Sequence, residues 1–172
     1  MNKIILIGMT ATALALGACG KKTPPADIGP AVTDPNAGAP TTADGSVDLV
    51  ELPEMQADLV AKAGSDTVYF GTDKSDLDSA SRATLAAQAR WMLANPTVKG
   101  SIEGHADERG TREYNLALGE RRANSAKNFL IANGVPAARL TLISWGKERP
   151  AAVGADENAW SQNRRSVTVV VR

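Results

Sequence analysis

Near residue 66 the 172-residue chain changes from a Pro-rich and Ala-rich stretch into alternating strand and helix patterns. The strand patterns are short runs of β-branched, aromatic or aliphatic residues at 67–70, 98–103, 140–143 and 167–171. Helical spacing of apolar residues occupies the segment that ends at Asn95-Pro96, and again residues 114–133. This alternation predicts an α/β fold, a two-layer sandwich of helices on a mixed four-stranded sheet. It does not determine the order of the strands.

The segment before this domain has the composition of a tether. Between Gly20 and Pro53 it holds six of the nine prolines, with many Ala, Thr, Gly and Asp and no apolar periodicity. Such a segment buries too little apolar surface to offset the entropy lost on ordering. We therefore expect a disordered tether over residues 19–64 and the folded domain over 65–172. Apolar residues spaced through 47–62 leave room for a short amphipathic segment at the end of the tether.

The first eighteen residues have the pattern of a cleaved signal. Two polar residues, one of them Lys3, precede an apolar run from Ile4 to Leu16 that is too short to cross a bilayer as a helix. The run ends in Leu16-Gly17-Ala18-Cys19, which resembles the lipobox of bacterial lipoproteins. The resemblance implies cleavage before Cys19 and lipidation of its sulfur, and Gly20 after it favours the outer membrane. The alternative is a secreted protein with a stray buried cysteine.

Charge and composition exclude several classes of function. Nineteen basic residues balance nineteen acidic ones, so no cationic field favours nucleic acid. One cysteine and one histidine rule out an internal disulfide and any site that needs several Cys or His ligands. We expect no metal and no cofactor.

Polar residues concentrate between Gly104 and Asn124, where a loop leads into the longest predicted helix. Asn115, Leu118 and Arg122 lie at i, i+3 and i+7, so they share one face beside a small-residue stripe that suits close packing on a sheet. With Asp107 in the loop, this face predicts a groove in which Asp107 binds an ammonium and Arg122 grips a carboxylate. The alternative is an Asp107–Arg122 salt bridge that fixes the loop to the helix.

Five segments together resemble the OmpA-like peptidoglycan-binding domain. They are EGHADERGT at 103–111, YN at 114–115, LGERRAN at 118–124, SWGKERP at 144–150 and NRR at 163–165. The resemblance covers residues 66–172 and implies non-covalent binding of the diaminopimelate in the peptidoglycan stem peptide. The implied ligand-binding residues are Asp107, Arg122, Asn115, Leu118, Thr72 and Asp73. The chain departs from the family where aromatic residues usually stand, since it has Thr72 and Ser75 there.

Similarity to lipidated members of this family implies two further properties. One is a lipid-anchored protein in the outer membrane with its domain in the periplasm, linking membrane and wall within the Tol system. The other is a protein partner, TolB. A competing hypothesis is a peptidoglycan hydrolase that uses Asp107, Glu108 and His105. The two carboxylates of a glycosidase must flank the bond at a defined separation, which residues adjacent in sequence do not readily reach. The sequence also has no serine or cysteine nucleophile in a suitable motif. We therefore predict that the protein is not an enzyme.

Overall fold

The computed structural model describes residues 52–172. The predicted signal, Cys19 and most of the predicted tether lie outside these residues. Among the described residues no helix is both long enough and apolar enough to cross a membrane.

Four helices and four strands make up the described part of the chain. The helices are α1 (Pro53–Ala63), α2 (Ser79–Ala94), α3 (Arg112–Ala132) and α4 (Glu157–Asn163), and a short 3-10 turn covers Ala137–Arg139. The strands are β1 (Thr67–Tyr69), β2 (Lys99–His105), β3 (Leu140–Gly146) and β4 (Arg165–Val171), in the order β1-β4-β2-β3. β2 and β3 run parallel, whereas β4 is antiparallel to both of its neighbours. The predicted mixed four-stranded sheet with packed helices is confirmed.

Helix α1 belongs to the core, although the sequence pattern placed its residues in the tether. Its Leu59 is fully buried against the rest of the apolar core. The side-chain amide of Gln56 donates to the carbonyl of Thr168 (3.0 Å) and accepts from the amide of Val170 (2.7 Å). Because β1 pairs only with residues 165–167 of β4, the later residues of β4 have a free edge on that side, and Gln56 of α1 satisfies part of it.

Polar side chains cap the starts of three helices. Asp78 accepts from the amide of Ser81 (2.7 Å), Thr111 from that of Tyr114 (3.2 Å) and Asp156 from that of Ala159 (2.9 Å). Each bond satisfies one of the amides that a helix start leaves without a partner. The cap at Thr111 matters for function, because it fixes where α3 begins after the loop 106–111.

Helix α3 lies unusually close to β2, because glycines meet at the contact. A Cβ atom on Gly104 would lie 1.9 Å from the carbonyl oxygen of Gly119. The predicted small-residue stripe faces the sheet as expected, with Gly119, Ala123 and Ala126 buried along it. This close approach places the first turns of α3 directly beside the loop that follows β2.

Replacing Gly104 with Ala should therefore destabilise the fold without touching any ligand-facing group. The added methyl must push α3 away from the sheet, which we expect to lower the free energy of unfolding by about 2 kcal/mol. Urea denaturation of the variant measures this loss. Gly64→Ala is a contrasting control: its Cβ would meet nothing within 4 Å, so any cost there comes only from its positive φ of 84°. If Gly104→Ala were as stable as the wild type, α3 could move away from the sheet without loss of stability.

Candidate functional site

A cavity of about 250 Å³ opens where β2 ends. Its walls come from the loop 106–111, the first turns of α3 and the segment that follows β1. The lining residues are Thr72, Asp73, Asp107, Arg109, Gly110, Tyr114, Asn115 and Leu118. Five of the six residues expected to bind the ligand thus meet in one pocket, although they come from three separate segments.

The sixth residue, Arg122, lies beneath the pocket rather than in its wall. Its side chain is 0% exposed. The guanidinium donates to the carbonyls of Lys74 (2.8 Å), His105 (2.9 Å) and Gly71 (3.0 Å). Burial lowers the pKa of Arg122 to about 10, so the group remains charged at neutral pH.

The expected grip of Arg122 on a ligand carboxylate stays a prediction. Three of the five N–H donors of this buried guanidinium are committed to main-chain carbonyls. The alternative Asp107–Arg122 salt bridge is not formed, since Asp107 pairs with Arg109 and Arg164. Arg122 instead ties the segment 71–74 and the end of β2 to α3, which fixes two walls of the pocket relative to each other.

Asp107 is the central anion of the pocket. Its carboxylate accepts two hydrogen bonds from the guanidinium of Arg109, Nε to Oδ1 at 3.0 Å and Nη2 to Oδ2 at 2.7 Å, and one from the Arg109 amide at 3.1 Å. Nη1 of Arg164 lies 3.6 Å from Oδ2. Burial acts to raise the pKa of Asp107, but the hydrogen bonds and positive charges of Arg109, with Arg164, lower it overall. The group is therefore a carboxylate at neutral pH.

Arg109 is a pocket residue that the helical-face reasoning missed. It lies two positions after Asp107 in the same loop, so no helix periodicity connects the two. Its guanidinium stacks on the ring of Trp160 in α4, 4.1 Å from the ring centre, and Nη2 reaches the hydroxyl of Thr72 at 3.5 Å. The pocket thus contains a partly exposed cation next to its carboxylate.

Main-chain contacts hold the loop that carries this ion pair. Asn115 donates to the carbonyl of Arg109 at 2.7 Å. The ammonium of Lys147 donates to the carbonyls of Glu108 (3.2 Å) and Gly110 (2.7 Å). Asn115 therefore contributes to the pocket mainly by fixing the loop backbone.

The segment after β1 forms the opposite wall. Asp73 has a positive φ of 55°, a backbone conformation that is uncommon outside glycine. Its carboxylate accepts from the hydroxyl of Tyr114 at 3.4 Å, and the Tyr114 ring remains half exposed at the rim. Tyr114 thus supplies an aromatic surface to a pocket that has Thr72 in place of the family's usual aromatic residue.

His105 is the last residue of β2 and is almost completely buried. Its Nε2 lies 3.8 Å from a carboxylate oxygen of Glu103, and Nδ1 has no hydrogen-bond partner among the described residues. Burial, followed by the positive charge of Arg165, lowers the pKa of His105 to about 4. The imidazole is neutral at pH 7, which suits a structural role at the end of the strand.

This shifted histidine predicts acid sensitivity in a defined range. Unfolded His105 binds a proton below about pH 6.5, whereas the folded group binds one only near pH 4, so stability falls as the pH drops through this window. We expect a loss of about 2 kcal/mol between pH 7 and pH 4.5. Urea denaturation across that range measures it, and His105→Gln should flatten the dependence. If the stability of His105→Gln depended on pH as that of the wild type does, other titratable groups would cause the acid sensitivity.

Comparisons with known proteins agree with the motifs and the fold. A family model described as the OmpA family matches residues 69–164. The peptidoglycan-associated lipoprotein of Rhizobium meliloti is 43% identical over 166 residues, covering 96% of this chain and 86% of that protein. The protein of the same name from Mesorhizobium japonicum is 44% identical over 168 residues, covering 96% and 90%.

Solved structures give the same result. The crystal structure of the peptidoglycan-associated lipoprotein from Burkholderia pseudomallei is 40% identical with a TM-score of 0.61, covering 62% of this chain and 91% of that one. The C-terminal domain of Helicobacter pylori MotB has a TM-score of 0.57 at 18% identity, covering 62% and 84%, and is similar in fold alone.

Proposed function

The chain belongs to the OmpA family, and from that premise we propose that the pocket at the end of β2 binds the diaminopimelate of the peptidoglycan stem peptide. The free end of that side chain carries an ammonium and a carboxylate on one carbon. The observation that supports this ligand is an ionised Asp107 beside a partly exposed guanidinium in a cavity of about 250 Å³. A zwitterion requires both charges within the reach of one small group.

In this proposal each lining group has a defined task. Asp107 accepts hydrogen bonds from the ammonium. Thr72 and Asp73 close one wall, and Leu118 covers the apolar part of the side chain from α3. Asn115 holds the loop, and Arg122 positions the walls from below through its three carbonyl contacts.

Binding without chemistry fits the arrangement better than hydrolysis. A general acid needs a raised pKa, whereas the pKa of Asp107 is lowered by its arginine partners. Glu108 lines a separate cavity, and its carboxylate accepts from the indole of Trp160 at 3.1 Å. His105 is almost completely buried and does not line the pocket. The three residues of the hydrolase hypothesis are therefore not assembled around one space.

The same proposal places the protein between the outer membrane and the cell wall. The lipobox ending at Cys19 supplies the lipid anchor, and relatives with high coverage are named lipoproteins. The 33 residues between Cys19 and α1 reach roughly 115 Å when fully stretched, which leaves the domain free to search the wall. A few charge-assisted hydrogen bonds give micromolar-range affinity per site, and many copies on one polymer make the attachment strong.

Family resemblance adds a partner to the proposal. Lipidated relatives of this kind act in the Tol-Pal system, where TolB competes with peptidoglycan and the outer membrane is drawn inward at division. We propose that TolB binds this domain. A pull-down with TolB that added sacculi compete away would support this partner, and capture that sacculi leave unchanged would contradict a shared surface.

Co-sedimentation with purified sacculi tests the binding function. The full-length chain in detergent should pellet with sacculi whose stem peptides contain diaminopimelate and remain in the supernatant with lysine-type sacculi. A free stem tripeptide with diaminopimelate should release it, and no muropeptides should appear. Equal binding to both wall types would contradict diaminopimelate recognition, and release of muropeptides would favour an enzyme.

A further inference from the structure

We propose that a second cavity, the β1 groove, binds the amino-sugar chain that carries the stem peptide. This inference rests on the proposed function and adds another contact between the domain and the same polymer. The β1 groove lies between the end of β1, the residues before α2 and the last residues of α4. Its volume of about 550 Å³ falls in the range of about 300–1,000 Å³ that is typical of small-ligand sites. Its lining residues include Tyr69, Gly71, Lys74, Asp76 and Gln162.

One four-residue segment forms a wall of both the β1 groove and the pocket at the end of β2. Gly71 and Lys74 line the groove, whereas Thr72 and Asp73, which lie between them in the chain, line the pocket. The lactyl group and the two residues that join diaminopimelate to the sugar span roughly 10 Å when extended. Neighbouring chain segments are only about 5 Å apart. A single molecule of the polymer is therefore long enough to cross this segment and occupy both sites.

The side chains around the β1 groove suit a neutral, hydroxyl-rich ligand. Tyr69 is 52% exposed, so the groove offers an aromatic surface with a polar tip. A sugar ring matches such a surface, because it has an apolar C–H face and hydroxyl groups at its edge. The cation of Lys74 lies in the same groove as the carboxylates of Asp76 and Asp78. Charges of both signs give the groove no preference for a polyanion or a polycation.

Several polar groups of the β1 groove are available to a ligand. Within residues 52–172, the ammonium of Lys74 and the carboxylate of Asp76 have no hydrogen-bond or ion-pair partner. The side-chain amide of Gln162 donates to the carbonyl of Asn158 (3.0 Å), which leaves its oxygen as an acceptor. Sugar hydroxyl and acetamido groups both donate and accept. The groove can therefore bind them through neutral and charge-assisted hydrogen bonds.

Main-chain contacts hold the β1 groove in place before any ligand binds. The amide of Phe70 donates to the carbonyl of Arg164 (2.9 Å), and Nε of Arg164 donates to the carbonyl of Phe70 (3.1 Å). The guanidinium of Arg122 donates to the carbonyls of Gly71 and Lys74. Because Arg122 binds the segment that both sites share, the spacing between groove and pocket is fixed. A polymer that fits both sites therefore binds without the cost of ordering this segment.

Calorimetric titration of the full-length chain in detergent with two probes tests this assignment. The first probe is a stem tripeptide that contains diaminopimelate and carries the lactyl group, and the second has the disaccharide attached to that lactyl group. We expect the wild type to bind the second probe about tenfold more tightly, as one or two added hydrogen bonds would give. Tyr69→Thr, which keeps a good strand former, and Asp76→Asn should lose most of this gain. Both variants should bind the first probe as the wild type does, because neither residue lines the pocket.

Asn158→Ala is the matched control, since Asn158 is an exposed polar residue of α4 that lines neither cavity. It should retain the tenfold preference. If the wild type binds the two probes equally, no sugar occupies the groove, although the proposed function stands. If Tyr69→Thr and Asp76→Asn keep the full preference, the sugar binds elsewhere and the groove is not its site. If neither probe binds the wild type, the proposed function fails and the sugar site fails with it.

Discussion

Replacing Arg122 with Met is expected to lower the free energy of unfolding by about 3–4 kcal/mol. The side chain of Met can fill much of the space of the aliphatic stem, but it donates no hydrogen bond. The carbonyls of Gly71, Lys74 and His105 would then lose their donor together. A shift of the urea midpoint with an unchanged slope measures the effect.

Arg121→Met is the matched control for this variant. Arg121 is the preceding residue of the same helix and is exposed, so its loss should change stability by less than about 0.5 kcal/mol. The two variants remove the same charge, and a difference between them isolates the buried contacts. Equal stability of Arg122→Met and the wild type would show that the three carbonyl contacts do not hold the walls of the pocket together.

Replacing Asp107 with Asn should weaken binding to sacculi by up to about 100-fold, the largest effect expected for any pocket residue. Asn has the same shape, but it offers no charge to an ammonium and one fewer acceptor oxygen. Loss of a charge-assisted hydrogen bond costs up to about 3 kcal/mol, which corresponds to roughly two orders of magnitude in affinity. Co-sedimentation over a range of protein concentrations measures the shift.

Glu108→Gln is the control for Asp107→Asn, since it removes the adjacent carboxylate, which lies outside the pocket. Binding by this variant should match the wild type. A thermal melt of Asp107→Asn must also show that the variant is folded at the assay temperature, because Arg109 and Arg164 lose their shared anion. If folded Asp107→Asn still bound sacculi tightly, Asp107 would not be the residue that binds the ammonium.

Local patterns in the sequence predicted the elements that carry the pocket. β-branched runs identified the strands, and helical spacing placed Asn115 and Leu118 on one face of α3 beside the small-residue stripe. Those inferences hold because they depend on backbone periodicity alone. The order of the strands depends on pairing between distant segments, such as Thr67 with Val167, and no local pattern encodes it.

The burial of Arg122 went unpredicted for a similar reason. Helical geometry gave the direction of its side chain correctly, toward the pocket, but the direction does not reveal what covers it. The covering carbonyls of Gly71 and Lys74 come from residues about fifty positions earlier in the chain. The spacing of residues along α3 therefore could not predict that Arg122 is buried.

Two helices were predicted only in part or not at all, for different reasons. For α1 the sequence left room for a short amphipathic segment within residues 47–62 but placed it in the tether rather than in the core. The signals for α1 were available, with Pro53 at its first position and Gly64 in a left-handed conformation after its end, but the Pro-rich context hid them. α4 has seven residues, mostly polar, and no apolar repeat. Only its cap at Asp156 indicated a start. This helix carries Trp160, and so the support of Arg109 also went unpredicted.

The most direct test of this account is a crystal structure of the protein with a stem tripeptide that contains diaminopimelate. We predict the side-chain ammonium within hydrogen-bonding distance of Asp107 and the apolar part of the same side chain against Leu118. A peptide lying in the separate groove between Tyr69 and Gln162, with the Asp107–Arg109 pair intact, would contradict it.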